Sequence, residues 1–98
     1  MSEDSELNYE LPPSNIWNHV SKLSISEDKP IMLDYWVDSL EKKVVIGIKE
    51  NKEKLLVKNR EEYTSPINKL YSIGDVYLIC TENSIYITSS KIDNRRIS

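Results

Sequence analysis

The sequence predicts a mostly β domain of the α+β class: one antiparallel meander of five or six short strands, preceded by a single N-terminal amphipathic helix. Three observations lead there. The apolar spacing changes from helical to alternating at Ile31. The alternating runs are short and separated by polar turn-forming stretches, too brief to hold the crossover helices that parallel strands require. The chain also has no alanine, the best helix former, whereas isoleucine is abundant and there are six tyrosines, residues that favour strands.

The elements follow in order. Pro12-Pro13 ends an acidic lead-in, and Ser14 stands where a hydroxyl can cap a helix N-terminus. Ile16, Trp17, Val20 and Leu23 then recur at helical spacing, which predicts an amphipathic helix over 15–24. A helix this short is marginal alone, so its stripe must dock. Pro30 disfavours helix at Lys29. From there IMLDYWVDS reads as a strand, with Ile31, Leu33, Tyr35 and Val37 on one face and Met32, Asp34, Trp36 and Asp38 on the other. LEKK is a turn. VVIGIKE places Val44, Ile46 and Ile48 on one face, and after a second turn KLLVKN places Leu55 and Val57 inward. TSPINKLYSI can pack through Ile67, Leu70, Tyr71 and Ile73, although its period is ambiguous. Gly74-Asp75 is turn chemistry. The last two runs form a hairpin around Thr81-Glu82-Asn83-Ser84: Val76, Leu78, Cys80, Ile85 and Ile87 share one face, expected to pack with Ile46, Ile48, Leu55 and Val57, and Tyr77, Ile79 and Tyr86 share the other, expected to face the helix or a second chain.

The chain of 98 residues is enough for one small domain. It divides into a flexible acidic segment at 1–13, a β-rich domain at 14–90 and a flexible basic tail at 91–98. Residues 1–10 carry a charge of minus four, and the whole chain minus three. A mildly acidic whole argues against nucleic-acid binding by net charge, but leaves room for a local basic face. No apolar stretch is long enough to span a bilayer, and the first residues lack a signal-peptide core, so no membrane is expected. A lone cysteine, Cys80, excludes an intramolecular disulfide and suits a reducing, intracellular setting. Rich in Ile, Lys and Asn and free of Ala, the composition points to an AT-rich genome.

The run TSPINKLYSIGDVYLICTENSIYITSS, with KLLVKN before it, resembles a single blade of a β-propeller of the WD-repeat type over residues 54–90. Ser65-Pro66-Ile67 stands at the start of the innermost strand, Gly74-Asp75 at the first turn, Tyr77 to Cys80 in the second strand and Ser84 to Ile87 in the third. The resemblance implies a four-strand meander, not a propeller, which needs four to eight blades. The Trp-Asp and Gly-His pairs of that family are absent. In size, composition and the phrase TENSIYITSSK the chain is also similar to small proteins of large DNA viruses.

Little here points to catalysis. The sole Cys–His combination is Cys80 with His19, and a cysteine among Val76, Leu78 and Ile79 behaves as a small core hydrophobe. One His and one Cys cannot close a zinc site without carboxylates. Asp34 and Asp38 lie too far apart along a strand to share an ion easily. Neither Gly47 nor Gly74 opens a phosphate-binding helix. No catalytic residue, metal or cofactor is assigned, and the chain is read as a non-enzymatic interaction or assembly module. Because both faces of the hairpin carry apolar residues, the expected mode is self-association through a sheet face, with Trp36, Tyr77, Ile79 and Tyr86 as the contact surface. The partner is a second copy, a dimer foremost, or another protein. The alternative is a small nucleic-acid-binding β domain. Residues 42–60 hold seven basic and two acidic groups, and Lys49, Lys54 and Lys58 line up on one face beside aromatics able to stack bases. Lysines that guard exposed strands explain the same pattern without a ligand.

Overall fold

The computed structural model describes residues 11–97. Helix α1, Ser14–Glu27, begins on Ser14 itself: Pro13 occupies the capping position, and its carbonyl accepts from the Ile16 N–H at 3.0 Å. The helix is longer than the apolar stripe suggests. It runs through the serines of SISE and ends on Asp28, in the left-handed conformation at φ 58°, with the Lys29 N–H donating to the Ser24 carbonyl at 3.1 Å.

Strand β1 is only Ile31–Met32, and the expected strand over 31–39 gives way to a short helix, α2, Trp36–Leu40. Alternation and a helical turn are both written into this stretch. Tyr35, Trp36 and Ser39, at i, i+1 and i+4, are the three that go inside. The Ser39 hydroxyl secures the turn, donating to the Trp36 carbonyl at 2.6 Å and accepting the Ser89 N–H at 2.9 Å.

Seven strands follow: β2 Val45–Ile48, β3 Lys54–Asn59, β4 Glu62–Tyr63, β5 Ile67–Ile73, β6 Val76–Thr81, β7 Ile85–Ser89 and β8 Asp93–Arg96. The molecule is mostly β with one long helix near its N-terminal end, as the sequence predicts. The strands do not form one meander, however. They make two four-stranded sheets, ordered β1-β7-β6-β5 and β4-β3-β2-β8. Consecutive strands pair antiparallel, while β1 joins β7 and β8 joins β2 in parallel. Residues 93–96, expected within a loose tail, are therefore an edge strand. Residues 1–10 of the expected acidic segment lie outside the described residues.

The first sheet is the middle of three layers. Val76, Leu78, Cys80, Ile85 and Ile87 face α1 and pack with Ile16, Val20 and Trp36. On the opposite face Ile79, with Tyr77 and Tyr86, packs on Tyr35, Val44, Ile46 and Leu56 under the second sheet. Period two sorts the hairpin residues correctly into faces, but the layers against them are exchanged relative to expectation. The face holding Cys80 meets the helix, and the face holding Ile79 meets the second sheet. The apolar triplet Leu55-Leu56-Val57 also leaves its phase open. Pairing settles it: Leu56 lies beside Ile46 over the core, while Leu55 beside Gly47 and Val57 beside Val45 lie on the opposite face, where Leu55 is nonetheless buried.

Candidate functional site

The second sheet has one face on the core and one open. Two cross-strand rows run over the open face. One is Asp93, Val45, Val57 and Tyr63, from β8 through β2 and β3 to β4; the next is Arg95, Gly47 and Leu55. Ile97, just past β8, donates its N–H to the Ile48 carbonyl at 2.8 Å and lays its side chain over Gly47. A Cβ on residue 47 would stand 2.7 Å from Ile97 Cδ1 and 3.0 Å from Val57 Cγ2. Glycine is thus what lets Val57 and Ile97 close into a continuous apolar floor.

Cations ring that floor. Lys42, Lys43, Lys49, Lys58, Arg60 and Arg95 line an open cavity of about 810 Å³; Asp93, at the β8 end of the first row on this face, does not line it. Three of the lysines are matched from outside: Lys58 with Asp38 at 2.9 Å, Lys43 with Glu41 at 3.0 Å and Lys49 with Glu53 at 3.7 Å. Lys42, Arg60 and Arg95 have no ion pair among the described residues. The Asp38 carboxylate, hydrogen-bonded to Lys58, raises the lysine's pKa, and the Lys58 ammonium also stands 5.1 Å from the centre of the Tyr35 ring. Burial and then the neighbouring Tyr86 raise the pKa of Tyr35, whose ring meets Tyr86 edge-on at 5.4 Å.

Local chemistry holds the β3–β4 end in place. The Asn59 side-chain carbonyl accepts the N–H groups of Glu61 at 2.8 Å and Glu62 at 3.0 Å, a tight turn that puts Arg60 at its tip. Thr64 locks the strand that follows: its hydroxyl accepts the Leu56 N–H at 3.1 Å, and its own N–H donates to the Leu56 carbonyl at 2.9 Å. Tyr63, between these anchors, is 58% exposed on the open face.

Of the lysines singled out in the sequence, Lys49 and Lys58 line this cavity, Lys58 at the bulge after Val57 with its ammonium turned to Asp38 and the Tyr35 ring. Lys54 does not line it: it pairs with Ile48 at the far end of β3. The sequence reading counted Arg60 in the basic run without singling it out, and missed Tyr63, Arg95 and Ile97, which sit in or beside the edge strands β4 and β8, read as polar linker and tail. The available signals were the Asn59 turn and the glycine between Val45 and Ile48. The residues expected to form a chain–chain contact lie elsewhere. Trp36 is 5% exposed and Ile79 fully buried, and Tyr77 and Tyr86 pack against the second core. The face that was to need a second chain is covered by the chain's own second sheet.

Cys80 is buried at the helix-facing core, and burial raises its thiol pKa, with Lys29 opposing. His19 is exposed and lines a shallow groove between α1 and β5 with Leu23, Tyr71 and Ile73. Among the described residues no three His, Cys, Asp or Glu side chains gather as a metal site, and no helix is long and apolar enough to cross a membrane. Three layers, helix over sheet over sheet with an open basic outer face, define the class of domain. Comparison with protein families, curated proteins and solved structures finds no match to this chain.

Proposed function

We propose that the chain is a non-enzymatic interaction module that engages an anionic partner through the open face of its second sheet. What supports the reading is a single arrangement: a cavity with an apolar floor lined by six cationic residues, of which Lys42, Arg60 and Arg95 have no ion pair among the described residues and Lys58 is turned to Asp38. A guarded strand edge scatters its lysines along solvent. Here they converge on one concavity whose floor is Val45, Val57 and Ile97. Unpaired guanidinium groups bind oxyanions through two parallel donors, and a dry floor beneath them strengthens the contact. The lone buried thiol supports an intracellular setting. The test is calorimetric titration with heparin and with polyglutamate as polyanion probes. The wild-type chain binds at least one of them, and the triple variant Lys42→Glu, Arg60→Glu, Arg95→Glu binds neither while keeping its melting temperature. Failure of both probes to bind the wild type sinks the reading.

A second reading, assembly of copies, is favoured by one observation. β5 is a seven-residue edge strand of the first sheet, with Leu70 and Tyr71 about 40% exposed. Antiparallel pairing of two copies about Leu70 sets Lys69 against Tyr71 and opposes no like charges. Light scattering that gives a dimer for the wild type and a monomer for Tyr71→Glu supports this dimer. A monomeric wild type removes it.

A further inference from the structure

We infer that the occupant of the open face is single-stranded nucleic acid, with a base stacked on Tyr63 and the flanking phosphates held by Arg60 and Arg95. The inference rests on the anionic-partner reading and adds the ligand class.

Three features select it. The first is Tyr63. A tyrosine ring more than half exposed on a sheet face, in line with Val57 and Val45, is a surface for a flat apolar partner. Neighbouring strands stand about 4.8 Å apart, so a four-stranded face is roughly 14 Å wide. That is the width on which other four-stranded sheets stack two or three bases. The second is where the arginines stand. Arg60 is at the tip of the turn entering β4, beside Tyr63, and Arg95 is in the row next to it on the opposite edge strand. A backbone crossing the sheet from β4 to β8 runs from Arg60 over an aromatic and aliphatic floor to Arg95, which stands one row from Asp93 on the same edge strand. Bases take the floor and phosphates the rim, the division of labour on single-strand platforms.

The third feature separates the alternatives. A duplex presents phosphates outward and hides its base faces, so it would use the cations and leave Tyr63, Val57 and Ile97 without a partner. An acidic peptide would match the cations, but its carboxylates give Tyr63 no flat face to stack. Only an unpaired strand offers charge and planar rings in alternation. Its affinity falls with salt: three new contacts, from Lys42, Arg60 and Arg95, give a log–log slope of about −2 at about −0.7 per contact.

The experiment is fluorescence anisotropy of the full chain with labelled short oligo(dT), with the corresponding duplex, and with heparin, across a salt series. Tyr63→Ala, Tyr63→Phe and Arg60→Glu are compared with the wild type. These side chains are exposed, so circular dichroism and melting temperature should match the wild type, and the comparison uses folded protein. The expected result is binding of oligo(dT) with the stated slope and weak binding of duplex. Tyr63→Ala loses roughly tenfold or more for oligo(dT) but nothing for heparin, Tyr63→Phe restores it, and Arg60→Glu weakens both ligands. Heparin binding without oligo(dT) binding overturns the nucleic-acid assignment and leaves an acidic protein as partner. Equal binding of duplex, or oligo(dT) binding indifferent to Tyr63→Ala, overturns it too. Binding of neither ligand overturns this inference together with the reading beneath it.

Discussion

Replacing Ile79 by alanine tests the layered architecture directly. Ile79 is fully buried on the strand at the centre of the middle sheet, facing Val44, Ile46 and Leu56. The change deletes three carbons. At about 0.8 kcal/mol each, the transfer contribution is roughly 2.4 kcal/mol. A cavity contribution adds to it, and the site collapses poorly because β6 is hydrogen-bonded on both sides, to β5 and β7. The total should reach about 3–4 kcal/mol, inside the range for such truncations. A domain of this size has roughly 5–10 kcal/mol to lose. Urea unfolding followed by circular dichroism should therefore show a much lower midpoint with an unchanged slope, and light scattering an unchanged solution mass. Leu70→Ala, at an exposed position of the same sheet, should cost less than about 0.5 kcal/mol. An Ile79→Ala cost below about 1 kcal/mol, or unchanged stability with altered mass, would mean that the second sheet does not cover this face, and the three-layer account would be wrong.

Other expectations follow from single contacts. Ser39→Ala strands the Ser89 N–H, which now donates to the hydroxyl at 2.9 Å, and should cost about 1–3 kcal/mol in thermal unfolding; a neutral result would show that α2 is not held there. Gly47→Ala drives a methyl into Ile97 and Val57; it should cost up to about 3 kcal/mol and lift the floor, so heparin titration should register a larger relative loss than the melt. Alkaline pH should destabilise the fold. Cys80 and Tyr35 are raised mainly by burial, so the native state holds their protons when the unfolded chain has released them, and stability falls as pH rises above about 9. Lys58, raised mainly by its hydrogen bond with Asp38, acts in the same direction: its contribution is full below the ordinary lysine pKa and is lost as pH rises through the native one. Because Lys58 is partly exposed, it adds the least. A pH series of melts that stays flat into this range would contradict these shifts.

The parts of the fold visible in the sequence are those where alternation runs uninterrupted. In the hairpin 76–89 every residue falls on the face that spacing assigns. What spacing cannot say is which layer meets each face, since that depends on pairings between distant strands. The exchange of helix and second sheet around β6 is the result. Two further elements were hidden for local reasons. In 31–39 the sequence satisfies both periods, and the buried Ser39 hydroxyl, bonded to a strand fifty residues away, favours the helix. In 91–98, DNRR has no apolar pattern because β8 buries none of its side chains and contributes only its backbone to the ladder. The candidate face was half legible: the lysine run is plain in sequence, whereas Tyr63 and Arg95 come together only once β4 and β8 flank β2 and β3.

The parallel pairings of β1 with β7 and β2 with β8 have a consequence for the time at which the open face comes into being. Chains are made from the N-terminal end, and their segments fold as they emerge. Here the two last strands complete both sheets, one lying beside the earliest strand and the other carrying Arg95 onto a surface begun fifty residues before. A nascent chain that has released β2, β3 and β4 still lacks Arg95 on the rim of the cavity and Ile97 in its floor. If the open face binds a single strand as inferred above, it gains that ability only after β8 has docked beside β2.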